Sequence, residues 1–202
     1  MSVEEIKKEP LTAALVILNI LAFFAVEFSG SSEDTMHMLD CGAVYVPFIL
    51  ENGEYYRIFT SMFLHFGMEH LANNMLALFV LGSRLERTVG KVRFLLIYLL
   101  GGITGNLVSL LLEIRTQAYA VSAGASGAVF AVMGAMIYVI LRRKGQVGDL
   151  SVRQILIMAV LSLYFGFTSS GVDNAAHVGG MLGGFFMAVL LYHPKRIRKT
   201  VP

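Results

Sequence analysis

Long runs without Asp, Glu, Lys or Arg recur along the chain, and short charged stretches separate them. Four of these runs, at residues 94–112, 116–141, 154–172 and 174–192, reach the roughly 17 residues that an apolar helix needs to cross a bilayer. Two further apolar runs lie nearer the N-terminus. The pattern predicts an all-α, polytopic membrane protein with six transmembrane helices, at about residues 11–28, 67–84, 93–113, 123–141, 153–170 and 174–192.

The composition supports a membrane protein. Of the 202 residues, 56% are hydrophobic and 15% are charged, and the mean hydropathy is +0.68. A typical soluble domain has about 25% charged and 45–50% apolar residues, so an ordinary soluble domain is excluded. The single cysteine, Cys41, cannot form a disulfide within the chain. The net charge of +2 is too small to indicate nucleic-acid binding, and we expect no nucleic-acid partner.

The basic residues indicate how the helices are oriented. If the N-terminus is cytoplasmic, all of the 16 Lys and Arg residues except Arg57 and Arg115 fall in cytoplasmic segments, as the positive-inside rule describes. Both termini are then expected in the cytoplasm. The long segment between the first two spans, about residues 29–66, would lie on the outer side, and its many Tyr and Phe residues favour a position in the membrane interface. The other connections are short, so we expect a single membrane domain over residues 1–202.

Polar residues inside the predicted spans are candidate functional residues, because polar side chains are costly in lipid. His70 and Asn74 lie one turn apart at the start of the second span. Ser126 lies near the start of the fourth span, and His177 near the start of the sixth. With a cytoplasmic N-terminus, all three spans begin at the outer side. We therefore expect these groups at one depth below the outer surface, beside a water-filled cavity.

Small residues indicate that the fourth and sixth spans approach each other. Gly180 and Gly184 follow His177 along the sixth span. The fourth span carries its own small residues, Gly124, Gly127, Ala131 and Gly134. Because small residues at helical spacing allow membrane helices to pack closely, this pattern predicts a crossing that brings Ser126 toward His177.

Other interpretations of these residues remain open at this point. Ser126 lies among Gly and Ala residues and could serve helix packing alone. His70 and His177 could be structural hydrogen-bonding residues or a pair of ligands to haem or a metal, although the sequence places no Cys or carboxylate at matching depth. Asn73 competes with Asn74, but Asn74 shares the helical face of His70.

Four ordered motifs together resemble the rhomboid family of intramembrane serine proteases, in its prokaryotic six-span form. Residues 124–127 match the G-x-S-G nucleophile motif, and residues 176–184 match A-H-x-x-G-x-x-x-G. Residues 70–74 match H-x-x-x-N, and residues 54–57 resemble E-x-W-R with Tyr56 in place of Trp. One such motif is weak, but four motifs in order on the matching spans are specific.

The resemblance implies a Ser–His dyad in which Ser126 is the nucleophile and His177 the general base. The oxyanion would be held by the Ser126 backbone N–H and by the side chains of His70 and Asn74. Family members stack an aromatic ring on the histidine, and Phe130 occupies that position where the family often has Tyr. The supporting residues would be Gly124, Phe130, Gly180, Gly184, Tyr56 and Arg57. The resemblance implies neither a metal nor a cofactor.

The resemblance also implies the partners and the location of the protein. Single-span or polytopic membrane proteins would be the substrates, and the lipid bilayer of a prokaryotic plasma membrane would surround the domain. The active site would open to the outer side, with the fifth helix and the loop before the sixth acting as gate and cap. Two alternatives stand beside this hypothesis: a catalytically inactive, chaperone-like relative that binds membrane helices, and a small transporter that uses the same polar cavity.

Overall fold

The computed structural model describes residues 9–143, 145–168 and 171–193, and over these residues the chain is helical with no β-strand. In chain order the α-helices are α1 (Pro10–Ser29), α2 (Thr35–Asp40), α3 (Val46–Asn52), α4 (Arg57–Thr60), α5 (Gly67–Ala77), α6 (Ser83–Val89), α7 (Lys91–Thr116), α8 (Ser126–Arg143), α9 (Val152–Thr168) and α10 (Asn174–Leu191). A 3₁₀ turn, Ser61–Phe63, follows α4, and a π-helical turn, Leu78–Gly82, joins α5 to α6 without a break. The predicted all-α class is thereby confirmed for the described residues.

Among the described residues, four helices of 18 or more residues are apolar enough to cross a membrane: α1, α7, α8 and α10. Helix α9 is also apolar and is slightly shorter, with 17 residues. The continuous helical stretch over residues 67–89 corresponds to the second predicted span and extends five residues beyond it. The last residues of the predicted fifth span, 169 and 170, and both ends of the predicted domain, 1–8 and 194–202, lie outside the described residues.

Helix α8 begins at Ser126, whereas the sequence predicted a start near residue 123. The reason is Gly124, whose φ of +147° lies outside the helical region and in a range that favours glycine. Residues 117–125 therefore form a non-helical loop that leads to the start of α8, and the helix begins three residues later than predicted.

The N-terminal end of α1 is held by a buried carboxylate from α6. Glu86 is only 2% exposed, and its Oε2 accepts hydrogen bonds from the N–H and the hydroxyl of Thr12, each at 2.7 Å. Its Oε1 accepts from the Leu11 N–H at 3.1 Å. The first N–H groups of a helix have no acceptor within the helix, so Glu86 satisfies donors that would otherwise be unpaired. Glu86 thus fixes the start of α1 against α6.

Helices α7, α8 and α10 form the most closely packed part of the molecule. A Cβ on Gly180 would overlap the carbonyl oxygen of Gly127, and one on Gly184 would overlap that of Ala131. From the other side of α10, Gly105 of α7 lies so close that a Cβ there would stand 2.6 Å from the Ala176 carbonyl oxygen. The predicted close approach of the fourth and sixth spans is confirmed, and glycine makes it possible.

The segment between α1 and α5, residues 30–66, is called the outer segment after its predicted location, and it is folded around a buried arginine. Arg57 is 4% exposed, and its Nη1 donates to the carbonyl oxygens of Leu39 at 2.6 Å and Ala43 at 2.9 Å. Its Nε donates to Glu54 Oε2 at 2.6 Å. Hydrogen bonds from Asn52 and from the Arg57 guanidinium hold the pKa of the Glu54 carboxyl below its ordinary value. A single side chain therefore ties three parts of the segment together.

Candidate active site

The loop before Ser126 is fixed from two sides. Val44 of the outer segment pairs with Ser122 in an antiparallel bridge, and the Gly124 N–H donates to the Ser61 carbonyl at 2.9 Å. The Ala125 N–H donates to Nε2 of His65, which is 1% exposed, at 3.3 Å. The outer segment therefore determines where α8 begins and where its first residue lies.

Ser126 is the first residue of α8, and its side chain is partly exposed. Its backbone N–H is one of the first N–H groups of the helix, which have no acceptor within the helix. The positive end of the helix dipole lies at the same place. A negative oxygen beside Ser126 would thus meet a free donor and a favourable field.

His177 lies in the first turn of α10. The helix is capped by Asp173, whose Oδ1 accepts from the Ala176 N–H at 2.8 Å, and the His177 N–H donates to the Asp173 carbonyl at 3.2 Å. The imidazole is 6% exposed. Its Nε2 lies 2.8 Å from Ser126 Oγ, within hydrogen-bonding distance. The structure thus brings together two side chains that are 51 positions apart in the sequence.

An aromatic ring holds the orientation of the imidazole. The Phe130 ring stacks on His177 with a centroid distance of 4.4 Å and an interplanar angle of 5°. Nδ1 of His177 is buried and has no hydrogen-bond partner among the described residues. Within the described part of the chain, stacking and burial therefore orient the ring in place of a carboxylate. Phe130 thus lies against the imidazole, in the position that the family resemblance predicted for a stacking aromatic ring.

His70 lies against the loop that leads into Ser126. A Cβ built on Gly124 would stand 2.8 Å from Cε1 and 3.0 Å from Nε2 of His70, and 3.6 Å from Ser126 Oγ. Only a glycine leaves room for the imidazole at this point. The ring of His70 also meets that of His65 edge to face, with centroids 5.2 Å apart. Gly124 therefore serves both the loop geometry and the approach of His70.

Asn74 shares the inward face of α5 with His70, as the spacing predicted. Asn74 is 6% exposed, whereas Asn73 is exposed. The Asn74 Nδ2, however, donates to the His70 carbonyl at 3.0 Å. The structure therefore places His70 next to the loop before Ser126, whereas the Asn74 amide donates to a carbonyl of its own helix, α5.

Tyr56 and Arg57 lie in the outer segment. The Tyr56 hydroxyl donates to Glu54 Oε2 at 3.0 Å, and Arg57 binds the carbonyl oxygens of Leu39 and Ala43 as described above.

A cavity of about 620 Å³ lies beside the candidate site, between the C-terminal ends of α7 and α9, the loop before α8 and the start of α10. Its lining includes Ser109, Glu113 and Asp173, but neither Ser126 nor His177.

Two contacts of the site were not predicted from the sequence. His65 accepts a hydrogen bond from the backbone N–H of Ala125, the residue before Ser126. The contact between Ser109 and the cap residue Asp173 was missed. An Asp directly before an apolar helical run is a recognisable cap signal. A serine inside an apolar span gives no comparable indication of its partner.

Comparison with known proteins agrees with the motifs. A family model described as the Rhomboid domain matches residues 52–194. Rhomboid protease GluP of Bacillus subtilis (strain 168) is 41% identical over 188 residues, which are 93% of this chain and 36% of that protein. Putative rhomboid protease YdcA of the same organism is 34% identical over 147 residues, which are 73% of this chain and 72% of that protein.

A plant relative is also similar. RHOMBOID-like protein 5 of Arabidopsis thaliana is 38% identical over 154 residues, which are 73% of this chain and 48% of that protein. The chain thus spans about a third of the length of GluP and about half of the length of the plant protein. The similarity covers the helical core in which Ser126 and His177 meet.

Proposed function

The chain belongs to the rhomboid family, and we propose that it is an intramembrane serine protease that hydrolyses a peptide bond in or next to a transmembrane helix of another membrane protein. The observation that best supports this proposal is the 2.8 Å distance between Ser126 Oγ and His177 Nε2. The names of the relatives support protease activity, and the apolar helices support an integral membrane protein.

In the proposed mechanism, the neutral imidazole of His177 takes the proton of the Ser126 hydroxyl as the oxygen attacks the scissile carbonyl carbon. The resulting imidazolium then gives that proton to the leaving amine, and an acyl-enzyme remains on Ser126. A water molecule, deprotonated by the same imidazole, releases the acyl group. The stacked Phe130 ring keeps the imidazole in one plane through both steps.

The negative oxygen of the tetrahedral intermediate would be stabilised by the Ser126 N–H, by His70 and by Asn74. The Ser126 N–H at the start of α8 and the ring of His70 beside Gly124 support this assignment. For Asn74 to contribute, its amide must turn from the His70 carbonyl toward Ser126. Such tightening in the substrate complex is common in enzymes.

The arrangement in the membrane is part of the same proposal. The long apolar helices α1, α7, α8 and α10, the shorter α9 and the continuous helix over residues 67–89 would make six spans of one domain. Both termini would be cytoplasmic, and the starts of α5, α8 and α10 would then face the outer side. The outer segment, with its exposed Tyr55, Tyr56 and Phe59, would lie in the interface. No metal or cofactor takes part in the proposed reaction.

A cleavage assay in proteoliposomes tests the proposal. The purified chain is incubated with a panel of single-span substrates, and products are detected by mass spectrometry. Wild type is expected to cleave at least one substrate, and Ser126→Ala and His177→Ala should not. Ser122→Ala is the matched control, because the recorded contacts of Ser122 use its backbone, and this variant should remain active.

The same experiment separates the two alternatives. Substrate that co-purifies with wild type and Ser126→Ala alike but is never cleaved would indicate a helix-binding, chaperone-like protein. Solute flux that survives Ser126→Ala would indicate a transporter. Either result, or cleavage by Ser126→Ala at the wild-type rate, would refute the proposed function.

A further inference from the structure

The first turn of α10 is joined to α7 through one hydrogen bond between side chains. The Ser109 hydroxyl donates to Asp173 Oδ2 at 2.6 Å. The other carboxylate oxygen, Oδ1, accepts from the Ala176 N–H and caps the helix. Each oxygen of this carboxylate therefore has a separate donor, one in its own helix and one in a neighbouring helix.

Ser109 is placed for this contact by the close packing of α7 on α10. It lies one turn after Gly105, where α7 approaches the backbone of Ala176, and it is 4% exposed. A distance of 2.6 Å is typical of a hydroxyl bound to an ionised carboxylate, which makes stronger bonds than neutral pairs. The contact thus lies in the closely packed part of the molecule formed by α7, α8 and α10.

Gly171, two residues before Asp173, gives the cap little support. Gly171 has a φ of +79°, and a Cβ on it would meet nothing within 4 Å. The carboxylate of Asp173 is only partly buried. Within the described contacts of this side chain, Ser109 is the donor that comes from outside α10. The orientation of the Asp173 carboxylate thus depends on Ser109.

We propose that Ser109 is a positioning residue for the reaction: its hydroxyl holds Asp173 in the capping orientation and so fixes the first turn of α10, which carries His177 against Ser126. The inference rests on the proposed function and adds a residue that touches neither substrate nor the reacting atoms. One turn separates Asp173 from His177, and the His177 N–H donates to the Asp173 carbonyl. A change in the cap therefore moves the imidazole directly.

The expected effect is on catalysis more than on binding. Small displacements of a catalytic group strongly reduce rates. Ser109→Ala should lower kcat for a single-span substrate, and the rate at which a fluorophosphonate modifies Ser126, by about fivefold, with KM unchanged. Because Asp173 is partly exposed, water can replace the lost donor, and the variant should fold normally.

Three further variants make the test specific. Ser109→Thr keeps the hydroxyl and should stay within about twofold of wild type. Asp173→Asn should do the same, because Asn caps helices about as well as Asp and its amide can still pair with the Ser109 oxygen. Thr116→Ala is the control on the same helix: its hydroxyl donates to the Leu112 carbonyl of its own helix, so its loss should leave the labelling rate unchanged.

The labelling rate distinguishes positioning from mere stabilisation. If Ser109 were purely structural, Ser109→Ala would have a lower thermal midpoint, but at temperatures well below that midpoint its Ser126 would still be labelled at the wild-type rate. This result would overturn the inference while the proposed function stands. Wild type that is never labelled at Ser126 would overturn the proposed function and this inference with it. Slower labelling in Ser109→Ala together with recovery in Ser109→Thr would support both.

Discussion

Helix α8 and helix α9 follow each other in the chain but differ in how closely they are packed. Every residue of α8 from Gly127 to Met136 is buried, whereas only Ile155, Ala159 and Gly166 of α9 are buried. Val160 and Phe167 of α9 are 62% and 79% exposed. In a bilayer these faces would contact lipid, which is as apolar as leucine, so their exposure has little cost.

The functional consequence of this difference lies in where the candidate site is built. Ser126, Phe130 and His177 all belong to the closely packed helices α8 and α10, and His70 fits against the loop that enters α8. Helix α9 reaches this unit through few polar contacts, among them the Asn174 amide on the Leu163 carbonyl at 3.3 Å. The residues of the candidate site therefore lie on the closely packed helices and not on α9.

The largest effect is expected from His70 and Asn74 of α5, the proposed oxyanion donors beside the loop that enters α8. His70→Ala and Asn74→Ala should each lower kcat by about 10²–10³, because each would lose an oxyanion donor, with KM nearly unchanged. Asn73→Ala is the control, since Asn73 is exposed. Steady-state cleavage in proteoliposomes measures both constants. A rise in KM at constant kcat would show that these residues bind substrate and do not stabilise the transition state.

A smaller effect is expected when the packing itself is disturbed. In Gly180→Val the new side chain would meet the Gly127 carbonyl, so α8 and α10 must separate. We expect a loss of about 3 kcal/mol in unfolding free energy and a lower rate of cleavage. The control is Gly127→Ala at the same crossing, whose Cβ would stand 3.5 Å from the Ala176 carbonyl oxygen, an ordinary contact. Unchanged thermal stability of Gly180→Val in detergent would contradict the importance of this crossing.

The smallest effects are expected on α9, where two isoleucines allow a matched comparison. Ile155 is fully buried and Ile157 is 47% exposed. Ile155→Ala should cost about 1–2 kcal/mol, because a cavity forms against α8 while lipid removes much of the hydrophobic term. Ile157→Ala should stay within about 0.5 kcal/mol. Equal losses in the two variants, measured by thermal unfolding in detergent, would mean that α9 is packed on both faces.

The sequence was informative where lipid imposes a strong pattern. Charge-free runs located the helices to within a few residues, because every backbone group must be satisfied inside the bilayer. The glycines at 180 and 184 predicted the crossing of α8 and α10 for the same physical reason that makes it possible in the structure. The contact of Ser126 with His177 followed from that crossing and is present.

The sequence was less informative where local conformation depends on tertiary contacts. The π-helical turn at Leu78–Gly82 has no mark in the apolar pattern, since it changes the register of the helix and leaves its composition unaltered. The start of α8 at Ser126 depends on the φ of Gly124, which the approach of His70 and the bond to Ser61 help to set. Ser109 and His65 act on residues far away in the chain, and no local signal reveals such partners.

The most direct test of the account is to map a fluorophosphonate adduct on the purified protein by mass spectrometry. We expect modification at Ser126 in wild type and in Ser122→Ala, and none in His177→Ala, because the serine oxygen becomes nucleophilic only when the adjacent imidazole accepts its proton. Labelling of Ser126 that persists at the wild-type rate in His177→Ala, or an adduct confined to another serine, would contradict it.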